Sequence, residues 1–141
     1  MSDYKTILQI ASENCSAEVV KFIVQGMVNI NNTKISGFTA LHSAAYAGCT
    51  EVVKLLVDEG IDINATSKYG STALHNAADY GHLEVVKFLL EQNANPNITD
   101  NNGRMPKKLA VMESRHNKNN KPYDEIIKLL ARAEDNYKSE K

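Results

Sequence analysis

Apolar residues in this chain recur at helical spacing in short runs, separated by turns that carry glycine or asparagine. The stretch Leu83 to Gln92 is the clearest. Val85, Val86, Phe88, Leu89 and Leu90 fall mostly on one side, and Glu84, Lys87 and Glu91 on the other, which predicts an amphipathic helix. Just upstream, Ala73, Leu74, Ala77 and Ala78 predict a shorter helix with a face of small residues, able to accept a close neighbour. Thr72 stands where a hydroxyl can cap its N-terminus, and Gly81 ends it in a tight turn. Tyr69-Gly70 predicts a turn whose glycine takes a positive φ without steric cost. Asn93 serves as a left-handed stop, and Asn95-Pro96-Asn97 leads out as an extended arm.

The same pattern occurs one unit earlier. Gly37 to Asn64 aligns without a gap on Gly70 to Asn97, a spacing of 33 residues. Gly37, Gly70 and Gly103 mark one phase of the repeat, and Asn31, Asn64 and Asn97 another. The shared pattern G-x-T-A-L-H-x-A-A-x-x-G-x-x-E-V-V-K, with Thr39, Leu41 and His42 matched by Thr72, Leu74 and His75, closely resembles the ankyrin repeat. That resemblance implies an all-α solenoid of stacked antiparallel helix pairs joined by hairpin-like loops. It implies one domain over residues 1–141: repeat 1 at about 1–33, repeat 2 at about 34–66, repeat 3 at about 67–99 and repeat 4 at about 100–133. Residues 134–141 form a tail.

The outer units depart from the pattern, as terminal repeats do. Repeat 1 keeps the second-helix run Ala17 to Val24 but lacks the T-x-L-H motif. Repeat 4 has Lys107 and Lys108 where Leu and His are expected, and its second helix, Glu125 to Leu130, arrives eight residues late. An insertion therefore lies near 114–124, with His116 to Lys121 read as an exposed loop. Charge and polarity suit an end that meets water: Lys107 and Lys108 at the C-terminal cap, Lys5 and Gln9 at the N-terminal one.

None of the phosphate-binding, zinc-protease, nucleophile-elbow or paired CxxC motifs is present, so the reading is of a protein that is not an enzyme and uses no cofactor, metal or small-molecule substrate. His42 and His75 sit one layer apart, roughly 10 Å, too far to share a metal at bond lengths of about 2.1 Å. The resemblance gives them a structural role, bonding the turn and the neighbouring repeat. Asn64, with Leu56, Asp62 and Ile63 around it, resembles a site of asparagine hydroxylation found in some ankyrin proteins; bracing of the loop is the plainer role.

In the family, turn tips and the exposed side of the first helices line a concave face that binds partners. The matching positions here include Ile35, Phe38, Tyr46, Lys68, Tyr69, Ser71, Asp79, Tyr80 and Arg104. Exposed aromatics supply much of the energy at protein interfaces. The expected function is thus a protein–protein interaction module, an adaptor, inhibitor or assembly factor, working as a monomer on another protein. A competing reading uses Arg104, Lys107, Lys108, Arg115, Lys118 and Lys121 as an anion-directed surface for RNA, acidic lipid or acidic peptide.

Composition narrows this further. A net charge of -1 argues against general attraction to nucleic acid or membranes. No apolar run suits a membrane span, and the N-terminus lacks the form of a secretory signal. A cytoplasmic location, or the nucleus or a host-cell cytosol, is expected. In such a reducing compartment Cys15 and Cys49 are expected as free thiols.

Overall fold

A computed structural model describes residues 3–26, 38–116 and 121–137. Among these, eight helices follow one another: α1 (Asp3–Glu13), α2 (Ala17–Gln25), α3 (Ala40–Ala47), α4 (Thr50–Asp58), α5 (Ala73–Asp79), α6 (Leu83–Glu91), α7 (Pro106–His116) and α8 (Lys121–Asn136). They pair as α1–α2, α3–α4, α5–α6 and α7–α8. First helices stack as α1 on α3 on α5 on α7, and second helices as α2 on α4 on α6 on α8. The solenoid expected from the repeat is what the chain forms. Among the described residues no helix is long and apolar enough to cross a membrane.

The core is a ladder of repeat-equivalent side chains. Leu8, Leu41 and Leu74 are buried at one rung, Val20, Val53 and Val86 at another, and Ala11, Ala44 and Ala77 at a third. The alanines let first helices approach closely, while the branched and long aliphatic residues fill the space between the two helix rows.

Thr39 and His42 close the start of α3 as a capping box. The Thr39 Oγ1 accepts the His42 N–H at 3.3 Å, and the Thr39 N–H donates to His42 Nδ1 at 3.0 Å. With Nδ1 accepting, Nε2 carries the proton and donates to the Ser71 carbonyl at 2.8 Å. Thr72 and His75 repeat the arrangement, with Nε2 donating to the Arg104 carbonyl at 2.8 Å. Each imidazole thus fastens its own helix cap to the turn of the next layer. Burial lowers the His75 pKa, against the pull of the Arg104 carbonyl.

The turn tips brace each other in the same way. Asn101 donates from its backbone to the Tyr69 carbonyl at 2.9 Å and from Nδ2 to the Lys68 carbonyl at 2.9 Å. Gly70, at φ +77°, admits this approach: a β-carbon there would sit 2.6 Å from Asn101 Oδ1.

Three sequence expectations need correction. Cys15 and Cys49 are not free thiols; they form a disulfide with Cα atoms 5.1 Å apart. Cys15 holds the turn position that Gly48 and Gly81 hold in later repeats, and like them has positive φ, here 58°. Cys49 lies one residue and one layer further on, so stacking itself brings the two within bridging distance.

Where it is described, the insertion is helical, with His116 in α7 and Lys121 in α8. It lengthens α7 to 11 residues and α8 to 16, where α5 has 7 and α6 has 9. Pro122 and Tyr123 stand at the start of α8, with Tyr123 buried. Residues 117–120 lie outside the described ones.

Among the described residues, the N-terminal end is not purely polar. Gln9 turns inward, donating to Ser43 Oγ at 3.3 Å, and the Lys5 side chain lies outside the described ones. The end face instead carries Ile7, Ile10, Val19 and Phe22, with Phe22 80% exposed. Val19 is 47% exposed, whereas its equivalents Val52 and Val85, covered by the preceding layer, are 0% and 1% exposed. Leu8 occupies the buried leucine rung, so repeat 1 keeps more of the first-helix pattern than its missing histidine suggests.

Candidate functional site: the concave face

Several of the candidate positions are left exposed by the stack. Tyr46 lies in the last turn of α3 and Tyr80 follows α5; they are 48% and 45% exposed, and their rings meet at 4.5 Å with a 54° tilt. Tyr69, at a turn tip, is 66% exposed, with Lys68 Nζ 5.2 Å from its ring centroid. Tyr69 and Tyr80 lie at opposite ends of α5, on the order of 12 Å apart along its axis. The structure therefore divides the expected aromatic cluster into a tip group and a group at the far end of the first helices.

Other candidates are drawn into the framework. Phe38 is half-buried and stacks on His42, centroids 5.0 Å apart. Ser71 is half-buried and its carbonyl is the acceptor for His42. Arg104 is half-buried, with Nε 2.9 Å from Asp100 Oδ2. Burial disfavours the Asp100 carboxylate, but hydrogen bonds from the Arg104 and Asn102 backbone and the guanidinium prevail and lower its pKa. Lys68 is exposed. Ile35 and Gly37 lie outside the described residues.

At the far end of the face, Tyr46, Tyr80, Asp79, His82, Glu113 and Tyr123 surround an open groove of about 660 Å³. His82 Nε2 contacts the Tyr46 carbonyl at 2.8 Å, and the Tyr123 hydroxyl donates to the Asp79 carbonyl at 2.8 Å. Burial raises the Asp79 pKa, and the Glu113 carboxylate raises it further. Tyr80 is raised by burial first, then by Tyr46 and the nearby carboxylates.

Tyr123 is a site residue that sequence reading missed, as is His82. It stands one repeat plus the eight-residue insertion beyond His82, so the repeat phase finds it only once the insertion is allowed for.

The basic surface is partly neutralised from within. Arg104 is paired with Asp100, and Lys107 Nζ lies 3.1 Å from Glu134 Oε1. Lys108 and Arg115 are exposed; Lys118 and the Lys121 side chain lie outside the described ones. Among the described residues no three of His, Cys, Asp or Glu are grouped to hold a metal.

The family model for ankyrin repeats (many copies) matches residues 41–90 and 75–117. The chain belongs to the ankyrin-repeat family. No curated protein matches this ankyrin chain. Ankyrin repeats generally mediate protein–protein interaction and are generally non-catalytic, which agrees with histidines spent on caps and tyrosines left on the surface.

Proposed function

We propose that this ankyrin protein is a monomeric, non-catalytic binding module whose concave face docks another protein. It acts by occupancy, as adaptor, inhibitor or assembly factor. The observation that carries the reading is the exposure of Tyr46, Tyr69 and Tyr80, at positions that match the family's partner-binding face. Exposed aromatics supply much of the energy at protein interfaces. The anion-directed alternative is weakened by the ion pairs of Arg104 and Lys107.

Affinity capture from the native cell tests it, comparing wild type with a Tyr46→Ala/Tyr69→Ala/Tyr80→Ala variant of unchanged helicity. A partner held by the first and lost by the second is the expected result. Equal retention by both eliminates the concave face, and retention that collapses with added salt favours the basic surface.

The cytoplasm, the nucleus or a host-cell cytosol is the location this reading gives. There the exposed Cys15 end of the disulfide is open to thiol reductants. Asn64 is proposed as a hydroxylation site, checked by intact-peptide mass spectrometry for one added oxygen on the protein from its native cell.

A further inference from the structure

We propose that Asn102 is a self-modification site. Its side-chain amide is hydrolysed by water, without an enzyme, through attack by the Gly103 backbone nitrogen, and the turn that carries it holds the reaction in check. The proposal does not depend on the concave-face reading.

Sequence and exposure single out this position. Of the chain's asparagines only Asn102 precedes glycine, the one residue with no side chain to obstruct attack by its own nitrogen. Asn101, Asn102 and Gly103 are exposed at a turn tip, and a β-carbon on Gly103 would meet nothing within 4 Å. Other asparagines have their side chains in use. Asn101 Nδ2 donates to the Lys68 carbonyl and Asn76 Nδ2 to the His42 carbonyl, while Asn64 Oδ1 and Asn95 Oδ1 accept backbone N–H groups. Among the described residues the Asn102 side-chain amide has no such partner.

The chemistry balances with water alone. The Gly103 nitrogen bonds to Asn102 Cγ, the Cγ–Nδ2 bond breaks, and ammonia leaves with the proton from the Gly103 amide. Water then opens the cyclic imide at one of its two carbonyls. One opening gives aspartate; the other gives isoaspartate, whose main chain runs through the former side chain. Either product carries a new carboxylate.

The folded turn restrains the first step. The Gly103 N–H is donated to the Asp100 carbonyl at 2.9 Å, and the Asn102 N–H to Asp100 Oδ1 at 2.9 Å. The nitrogen attacks only after its proton is released, so the turn must open first. Exposed tips open more readily than the core.

The product acts on the joint between the third and fourth layers. Asp100 also accepts the Arg104 N–H and pairs with its guanidinium, and the Arg104 carbonyl receives His75 Nε2 at 2.8 Å. A lengthened main chain and a second carboxylate beside Asp100 disturb that link.

The test ages the full chain in warm, mildly alkaline buffer, with and without guanidinium chloride, and follows each asparagine by peptide mapping with isoaspartate detection. The gain in mass of amide to acid should come first at Asn102, and about tenfold or more faster in denaturant than in the folded protein. Folded Asp100→Ala, with circular dichroism checked, should react about threefold to tenfold faster at Asn102 than its parent. Asn102→Gln, which closes a larger ring, should stay unmodified there. After ageing, hydrogen exchange at Gly103 and Arg104 should be faster in the parent than in Asn102→Gln.

A first gain at any other asparagine overturns the site. Equal rates in the folded and denatured chains overturn the restraint by the turn, and this comparison holds even if Asp100→Ala fails to fold. Unchanged exchange after full conversion of Asn102 overturns the effect on the joint.

Discussion

Tyr123 lies over Gly81 so closely that a β-carbon on the glycine would come within 3.1 Å of its ring. The contact has counterparts lower in the stack. One layer down, His82 covers Gly48 and reaches the Tyr46 carbonyl, as Tyr123 covers Gly81 and reaches the Asp79 carbonyl. One further, Cys49 covers Cys15 and points its sulfur at the Glu13 carbonyl, 3.8 Å away. A single architectural joint is thus made three times with three chemistries: a covalent bridge, an imidazole and a phenol.

The joint predicts which glycines tolerate a methyl group. Gly48, at φ +76°, would put a β-carbon 2.6 Å from His82 Nδ1, whereas Gly60, at φ +91°, would meet nothing within 4 Å. Gly60→Ala carries only the left-handed backbone cost, about 1–2 kcal/mol. Gly48→Ala should cost more, about 2–4 kcal/mol, because the imidazole is also displaced from its acceptor. Urea denaturation of the two variants checks the order; equal losses would show that the histidine moves aside freely.

Leu74→Ala should destabilise the fold by about 2–5 kcal/mol through the cavity left in the middle of the stack. Leu74 is 1% exposed, in a repeat covered on both sides. Denaturant unfolding gives the value, and a loss below about 1 kcal/mol would mean that neighbours collapse into the gap.

Reduction of Cys15–Cys49 should loosen the first layer. Closing a loop between residues 34 apart lowers the unfolded-state entropy by an amount worth about 3–4 kcal/mol in the chain-entropy model, and measured effects commonly fall at about 2–4 kcal/mol. Hydrogen exchange with and without a phosphine reductant should show faster exchange in α1 and α2, with α5 and α6 little changed. Uniform protection in both states would show that packing alone holds the layer.

Acidification should weaken the protein through His75. Its folded pKa lies below the unfolded value of about 6.5, so the unfolded chain takes up the proton first. Stability from this group is therefore present above about pH 6.5 and is lost as pH falls towards and through the folded pKa. Asp100, also lowered, adds loss in the same direction within the carboxylate range. NMR titration of the His75 ring follows the first step; a pKa at or above that of a free histidine would reverse the predicted slope.

The central repeats were legible because each interior position is met by the same neighbours at the same phase. Leu41 and Leu74, or His42 and His75, announce one environment by recurring. What stayed hidden depends on contacts between layers. Nothing in Cys15 or Cys49 taken singly signals a pair, since the relation appears only when one turn is laid over the next. Tyr123 is masked by the insertion, which puts it out of step with His82. The N-terminal face misled for a different reason: Gln9 reads as polar surface, yet its amide is used inward while Phe22 faces water.

Asn64 spends its side-chain oxygen on the Asn95 backbone N–H, 2.9 Å away in the next layer, and its own N–H on Asp62 Oδ1 at 3.0 Å. An enzyme acting on this asparagine must draw the chain out between its jaws, and both bonds have to let go first. The speed of such a reaction would then gauge how often two adjoining storeys part company. A loosened variant would be altered sooner than its parent without any change in the letters around the asparagine.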